Sequence, residues 1–158
     1  MDKRRFFSKP YIVFFIILFV LLCISKDVIG ANWKFVGQTE EFSWYYDAES
    51  INLLQNDIRV LVKYIPNDED ARLRYLESRQ KKQIGLPDNY SHSLFLYEVN
   101  CEDKTIKTLI ITEYTNEEEI IKSENMSNPA PIYTVPGSIG YKIQKTICSL
   151  KDSKKKRR

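Results

Sequence analysis

Polar and apolar residues alternate along several stretches of the chain, and each such stretch predicts a strand. Trp33–Gly37 is the first, a short one. In Phe42–Asp47 a period of two puts Phe42, Trp44 and Tyr46 on one face and Ser43, Tyr45 and Asp47 on the other. Ile58–Tyr64 is the clearest strand. Ile58, Val60, Val62 and Tyr64 share a face opposite Arg59 and Lys63, and β-branched residues suit a pleated, half-buried surface. Ser93–Asn100 and Thr105–Thr115 read as a hairpin joined through Cys101–Lys104. A turn at Asn116–Glu118 leads into a short strand, Glu119–Ser123. Asp47 should open a turn over Asp47–Ser50, because its short carboxylate accepts backbone N–H bonds two or three residues on. Pro129, Pro131 and Pro136 make Asn125–Pro136 a loop crossing the body.

Two segments read as helices instead. Asp68–Ile84 has Asp68, Glu69 and Asp70 at its start and Lys81 and Lys82 at its end, which matches the helix dipole, and Gly85 can supply the left-handed stop. Its apolar residues are few (Ala71, Leu73, Tyr75 and Leu76), so the expectation is a helix lying loosely on the body or only partly ordered. The last helix has Ser138 as N-cap after Pro136-Gly137. Ile139, Ile143 and Ile147 recur every four residues and form one apolar stripe, and Cys148 closes the helix beside it. The pattern gives one α+β domain over residues 32–150: an antiparallel sheet of five to six strands with a C-terminal helix. The basic tail, 151–158, is expected to be disordered.

The front of the chain changes the chemistry expected of the rest. Lys3, Arg4, Arg5 and Lys9 precede fourteen uninterrupted apolar residues, Tyr11–Ile24, and small residues follow near Gly30-Ala31. That layout is an export signal over residues 1–31, and the run is shorter than the roughly 20 residues that span a bilayer. A cleaved signal peptide is the favoured reading, and an uncleaved signal anchor, touching the membrane only through Tyr11–Ile24, is the alternative. Leu22 stands before Cys23 where a lipoprotein signal needs a small residue, which argues against lipidation there. Outside the reducing cytoplasm, Cys101 and Cys148 are expected to pair. Their bond would close a loop of about 47 residues, worth about 4 kcal/mol in the chain-entropy account.

Charge excludes one class of function. The chain carries a formal +3, but residues 31–150 hold 13 basic and 18 acidic side chains, so the body is acidic and the excess lies at the two ends. No nucleic-acid module fits that distribution. No cofactor motif and no metal-ligand set stand out. Two separated cysteines and one histidine do not make a zinc cluster, and Glu117–Glu119 lack the alternating oxygens and the glycine of a calcium loop and read as a solvated turn. His92, the single histidine, is expected at the surface or at a strand end, since Ser91 and Ser93 beside it point to the opposite face. No convergent acid, base and nucleophile appears, so an enzyme is the least favoured class. Lys154–Arg158 read as a solubilising tail rather than a contact with anionic lipid or polysaccharide. Aromatic residues make up 13% of the chain, enough to supply both a core and a contact surface. If the helix leaves one face of the Phe42–Asp47 strand bare, Tyr45 is the first candidate for a partner contact.

The ordered set Tyr45-Tyr46-Asp47-Ala48-Glu49-Ser50-Ile51, the strand Ile58–Tyr64, Leu96–Cys101 and Pro136–Ile139 leading to Ile147-Cys148 resembles the surface-adhesin protein E family of exported Gram-negative proteins. The match runs over about Asn32–Cys148. The resemblance implies a C-terminal helix on the concave face of the sheet, tethered by Cys101–Cys148. The family's best-known member is a dimeric surface adhesin that binds host extracellular-matrix and serum proteins, which brings a homodimer into the expectations while the ligand stays open. The expected function is therefore a non-enzymatic cell-envelope binding module, displayed on the surface or held in the periplasm. Its expected partner is a protein or an extracellular surface component. The alternative is a periplasmic structural or accessory subunit without adhesive role.

Overall fold

The computed structural model describes residues 30–81 and 85–155. The signal peptide or anchor expected over 1–31 falls almost wholly outside them, as do 82–84 at the expected end of the first helix and 156–158 of the tail. In chain order the strands are β1 (Trp33–Gln38), β2 (Phe42–Asp47), β3 (Asn52–Leu53), β4 (Asp57–Pro66), β5 (Tyr90–Asn100), β6 (Thr105–Thr115), β7 (Ile120–Asn125) and β8 (Ile132–Tyr133). The six longer strands form one antiparallel sheet in the order β1-β2-β4-β5-β6-β7. The short β3 pairs with β4, and the short β8 pairs with β6. Thus the segment expected to be plain loop contributes a strand, with Ile132 opposite Ile106.

The period of two in β4 sets the core. Ile58, Val60 and Val62 have no exposed surface, and Val99 of β5 is equally closed. Each such side chain contributes about 1.5–3 kcal/mol by leaving water. Helix α2 (Ile139–Lys155) covers these residues, with Ile143 and Ile147 completely buried against them and Ile139 half-buried. Ser138 caps the helix as expected, its Oγ accepting the Tyr141 N–H at 3.1 Å. Gly137, at φ 89°, makes the left-handed turn that precedes it. Gly37 lets the start of α2 come close to β1: a Cβ there would sit 3.3 Å from Lys142 Cδ. Cys148 joins Cys101 in the β5–β6 turn, with Cα atoms 5.8 Å apart. The helix does not end at Cys148. It runs on to Lys155, so the part of the expected disordered tail up to that residue is helical, its backbone bonds being supplied by the helix itself.

Helix α1 (Glu69–Lys81) lies on the same face of the sheet and is held there by specific contacts rather than resting loosely. Asp68 caps it, Oδ1 accepting the Ala71 N–H at 2.7 Å. Ala71 is wholly buried, and the Tyr75 ring meets Phe42, Tyr64 and Tyr90 with centroids 5.1–5.9 Å apart. Arg79 reaches Glu113 of β6 at 2.7 Å and Arg74 reaches Glu41 at 3.0 Å. Aromatic and ionic contacts replace the aliphatic stripe that the helix lacks.

Candidate functional site

Both helices sit on one face, so the other face of the sheet is helix-free among the described residues. Pairing brings outward-facing residues together across it: Phe35 opposite Tyr45, Tyr45 opposite Lys63, Lys63 opposite Leu94, and Leu61 opposite Leu96. Phe35 is 57% exposed, and its ring stands edge-on to Tyr45 at 5.5 Å. Lys63 Nζ lies 4.4 Å from the centre of the Trp33 ring, a cation–π contact that holds the indole over the strand. Trp33, Phe35, Tyr45 and Lys63 thus form an open aromatic corner at the β1 edge. The sequence reading picked Tyr45 alone. Phe35 was missed, although its place two residues after Trp33 put both rings on one face.

At the opposite end of this face the chemistry is ionic. Glu98 accepts from Arg59 at 3.1 Å and from Lys107 at 3.1 Å. Burial raises the Glu98 carboxyl, but the hydrogen bonds from Lys107 and Arg59 outweigh it and hold the group below the usual carboxylate range. Glu98 and Lys107 also line a cavity of about 250 Å³ with Asp57, Asn100 and Asp103. Asp47 is spent on backbone: Oδ1 accepts the Glu49 N–H at 3.0 Å and the Asn32 N–H at 2.8 Å, opening the short 3₁₀ turn Ala48–Ser50 as expected.

His92 departs from expectation. It lies near the start of β5, as one of the two expectations had it, but it is 5% exposed rather than at the surface, and its ring stacks on Tyr114 at 5.0 Å. A bulge between Tyr90 and His92 breaks the simple alternation, so the neighbouring Ser91 Oγ lies 3.2 Å from Nδ1. Glu118, in the exposed turn after β6, stands 3.8 Å from Nε2 with its side chain 76% open. Burial lowers the His92 pKa from its usual value, Glu118 opposes that shift and Lys63 adds to it. Asp47, Glu98 and His92 serve three separate neighbourhoods and do not converge. Among the described residues no three His, Cys, Asp or Glu side chains cluster as metal ligands.

The covered face carries a continuous aromatic floor. The rings of Phe42, Trp44 and Phe95 each lie 4.8–5.1 Å from that of Tyr64, and Tyr97 lies 5.4 Å beyond Phe95. Burial pushes the phenols of Tyr64, Tyr75, Tyr90 and Tyr97 up, so all four keep their protons. The indole Nε1 of Trp44 is buried with no hydrogen-bond partner among the described residues. Next to it, between the floor, the first turns of α2 and the segment from Ile132, is a cavity of about 310 Å³. Trp44, Tyr97, Ile106, Val135, Ile139 and Ile143 are half of the residues that line it. Ile132, Tyr133 and Val135 at its rim are 65–73% exposed, an unusual concentration of open apolar surface.

One antiparallel sheet, two helices on a single face and a bond from the last helix to a strand turn define a small disulfide-held α+β domain. The chain belongs to the surface-adhesin protein E family, whose sequence profile matches residues 33–149. Among solved structures it is similar to Haemophilus influenzae protein E in its crystal form II. The identity is 13% and the TM-score 0.47, over 68% of this chain and 80% of that one. Comparison with curated proteins finds no match. Among the described residues no helix is long and apolar enough to cross a membrane.

Proposed function

We propose that the protein is a non-enzymatic, exported cell-envelope module that binds a protein partner or an extracellular surface component through the helix-free sheet face, with Tyr45 at the contact. The observation that carries this reading is the open aromatic corner. Phe35 and Tyr45 stand edge-on at 5.5 Å on a face that no helix covers among the described residues, with Lys63 and Trp33 beside them. Aromatic rings of this kind supply large, rigid contact area at low entropic cost, and interface hot spots favour Tyr and Trp. Membership of a surface-adhesin family supports the same reading.

Two measurements test it together. Protease added to intact cells should digest the domain. Replacing Phe35 and Tyr45 by serine should weaken binding to immobilised extracellular-matrix proteins at least tenfold (~1.4 kcal/mol) while leaving the melting temperature in place. A domain protected until the outer membrane is opened, or binding that ignores both substitutions, defeats the proposal. Protection would instead favour a periplasmic accessory subunit.

A further inference from the structure

We infer that the cavity between the first turns of α2 and the sheet is a seat for one medium-length aliphatic chain bearing a single carboxylate, a fatty-acid-type amphiphile of about ten to twelve carbons. It is a separate site from the aromatic corner, on the other face of the sheet.

Three observations point to that ligand. The first is size. A cavity of about 150 Å³ holds a six-carbon ring, so the 310 Å³ found here suits roughly twice as many carbons. The second is the wall. Trp44, Tyr97, Ile106, Ile139 and Ile143 present mostly apolar surface, the lining's polar groups are the hydroxyls of Thr108, Thr134 and Ser138, the phenols of Tyr97 and Tyr133 and the Trp44 indole N–H, and among the described residues no charged side chain lines the space. A chain is accepted there, whereas a charged group would be desolvated without a partner. The third is the charge at the edge. Lys142 and Ile139 converge on the same spot over Gly37, 3.6 and 3.5 Å from where its Cβ would be, so the ammonium stands beside a wall residue of the cavity. Among the described residues this ammonium pairs with no carboxylate. An acyl chain inside the cavity would bring its carboxylate to Lys142 and cover the open rim of Ile132, Tyr133 and Val135.

The chain has two tryptophans, and they lie on opposite faces of the sheet, which makes the test direct. In a Trp33→Phe background Trp44 is the sole indole, and its emission reports the cavity. Titration with sodium dodecanoate below its micelle concentration should give a saturable change. Gly140 lines the cavity, and a Cβ there meets only Ser138 Oγ, at 3.8 Å, so Gly140→Leu fits the helix and fills the space. It should weaken binding more than about tenfold with melting unchanged or raised. Lys142→Glu, an exposed change that leaves the cavity intact, should weaken dodecanoate about threefold to fivefold and leave dodecanol unaffected. Tyr45→Ser should leave dodecanoate binding unaltered, which keeps this proposal distinguishable from the one above. Emission that does not saturate, or dodecanoate binding indifferent to both Gly140→Leu and Lys142→Glu, overturns the assignment. So does a response confined to phosphatidylglycerol vesicles, which would make the exposed rim a membrane contact instead.

Discussion

The two helices lie on the same face of the sheet and are held there by opposite means. Helix α2 presses Ile143 and Ile147 into an aliphatic core and is bonded covalently through Cys148. Helix α1 buries one alanine, rests a tyrosine among other rings and ties its far end through Arg79 to the buried Glu113. The first mode depends on apolar area and on chain entropy, neither of which needs a particular partner group. The second depends on polar groups that must find each other after desolvation. The same surface therefore has one half held by apolar area and a covalent bond and another held by specific polar partners.

The comparison can be broken most forcefully at the disulfide. Cys148→Ser should cost about 4 kcal/mol and lower the melting temperature by more than about 10 °C under oxidising conditions. Reduced wild-type protein should match it, and an unchanged midpoint would mean that α2 does not need its bond. At the other helix, Arg79→Met leaves Glu113 buried with only the longer Tyr75 contact at 3.4 Å, at a cost of about 2 kcal/mol. Chymotryptic cleavage within α1 should quicken while α2 stays protected, and equal loosening of both helices would erase the distinction. The smallest effect concerns pH. Burial holds His92 below its ordinary pKa of about 6.5, so below that value the unfolded chain binds the extra proton more readily. The stability linked to His92 is fully present above about pH 6.5 and is lost as pH falls through that value. His92→Phe keeps a ring on Tyr114 and should flatten the loss seen in urea unfolding between pH 7 and pH 5. If wild type and variant lose stability in parallel, the acid sensitivity lies elsewhere.

These asymmetries also explain what could be read from the chain. The stripe of Ile139, Ile143 and Ile147 is a local pattern, as are the alternation in β4 and the cap at Ser138, so α2 and the sheet were legible. The anchors of α1 were not. Glu41 and Glu113 lie 33 and 34 residues from their arginines, and no window of the sequence joins them. Composition misled at the tail, where few apolar residues suggested disorder but the backbone of α2 carries on to Lys155. The place of His92 turned on a single bulge, which no residue type announces. Tyr45 could be nominated because it alternates with Trp44 and Tyr46. The Trp44–Ile143 cavity could not, since its walls come from β2, β5, β6, the proline-containing crossing and α2.

The Cys101–Cys148 bond also has a topological effect. It closes a covalent ring that takes in β6, β7, β8, the proline-containing crossing and the first half of α2. The most open large apolar side chains of that ring, Ile132, Tyr133 and Val135, lie in and just after the two-residue β8, beside exposed loop backbone of the kind proteases cut most readily. A chain severed once there remains a single molecule. Both pieces stay joined through sulfur and through the sheet, and they separate only when the bond is reduced. A domain built this way can be nicked without losing either piece.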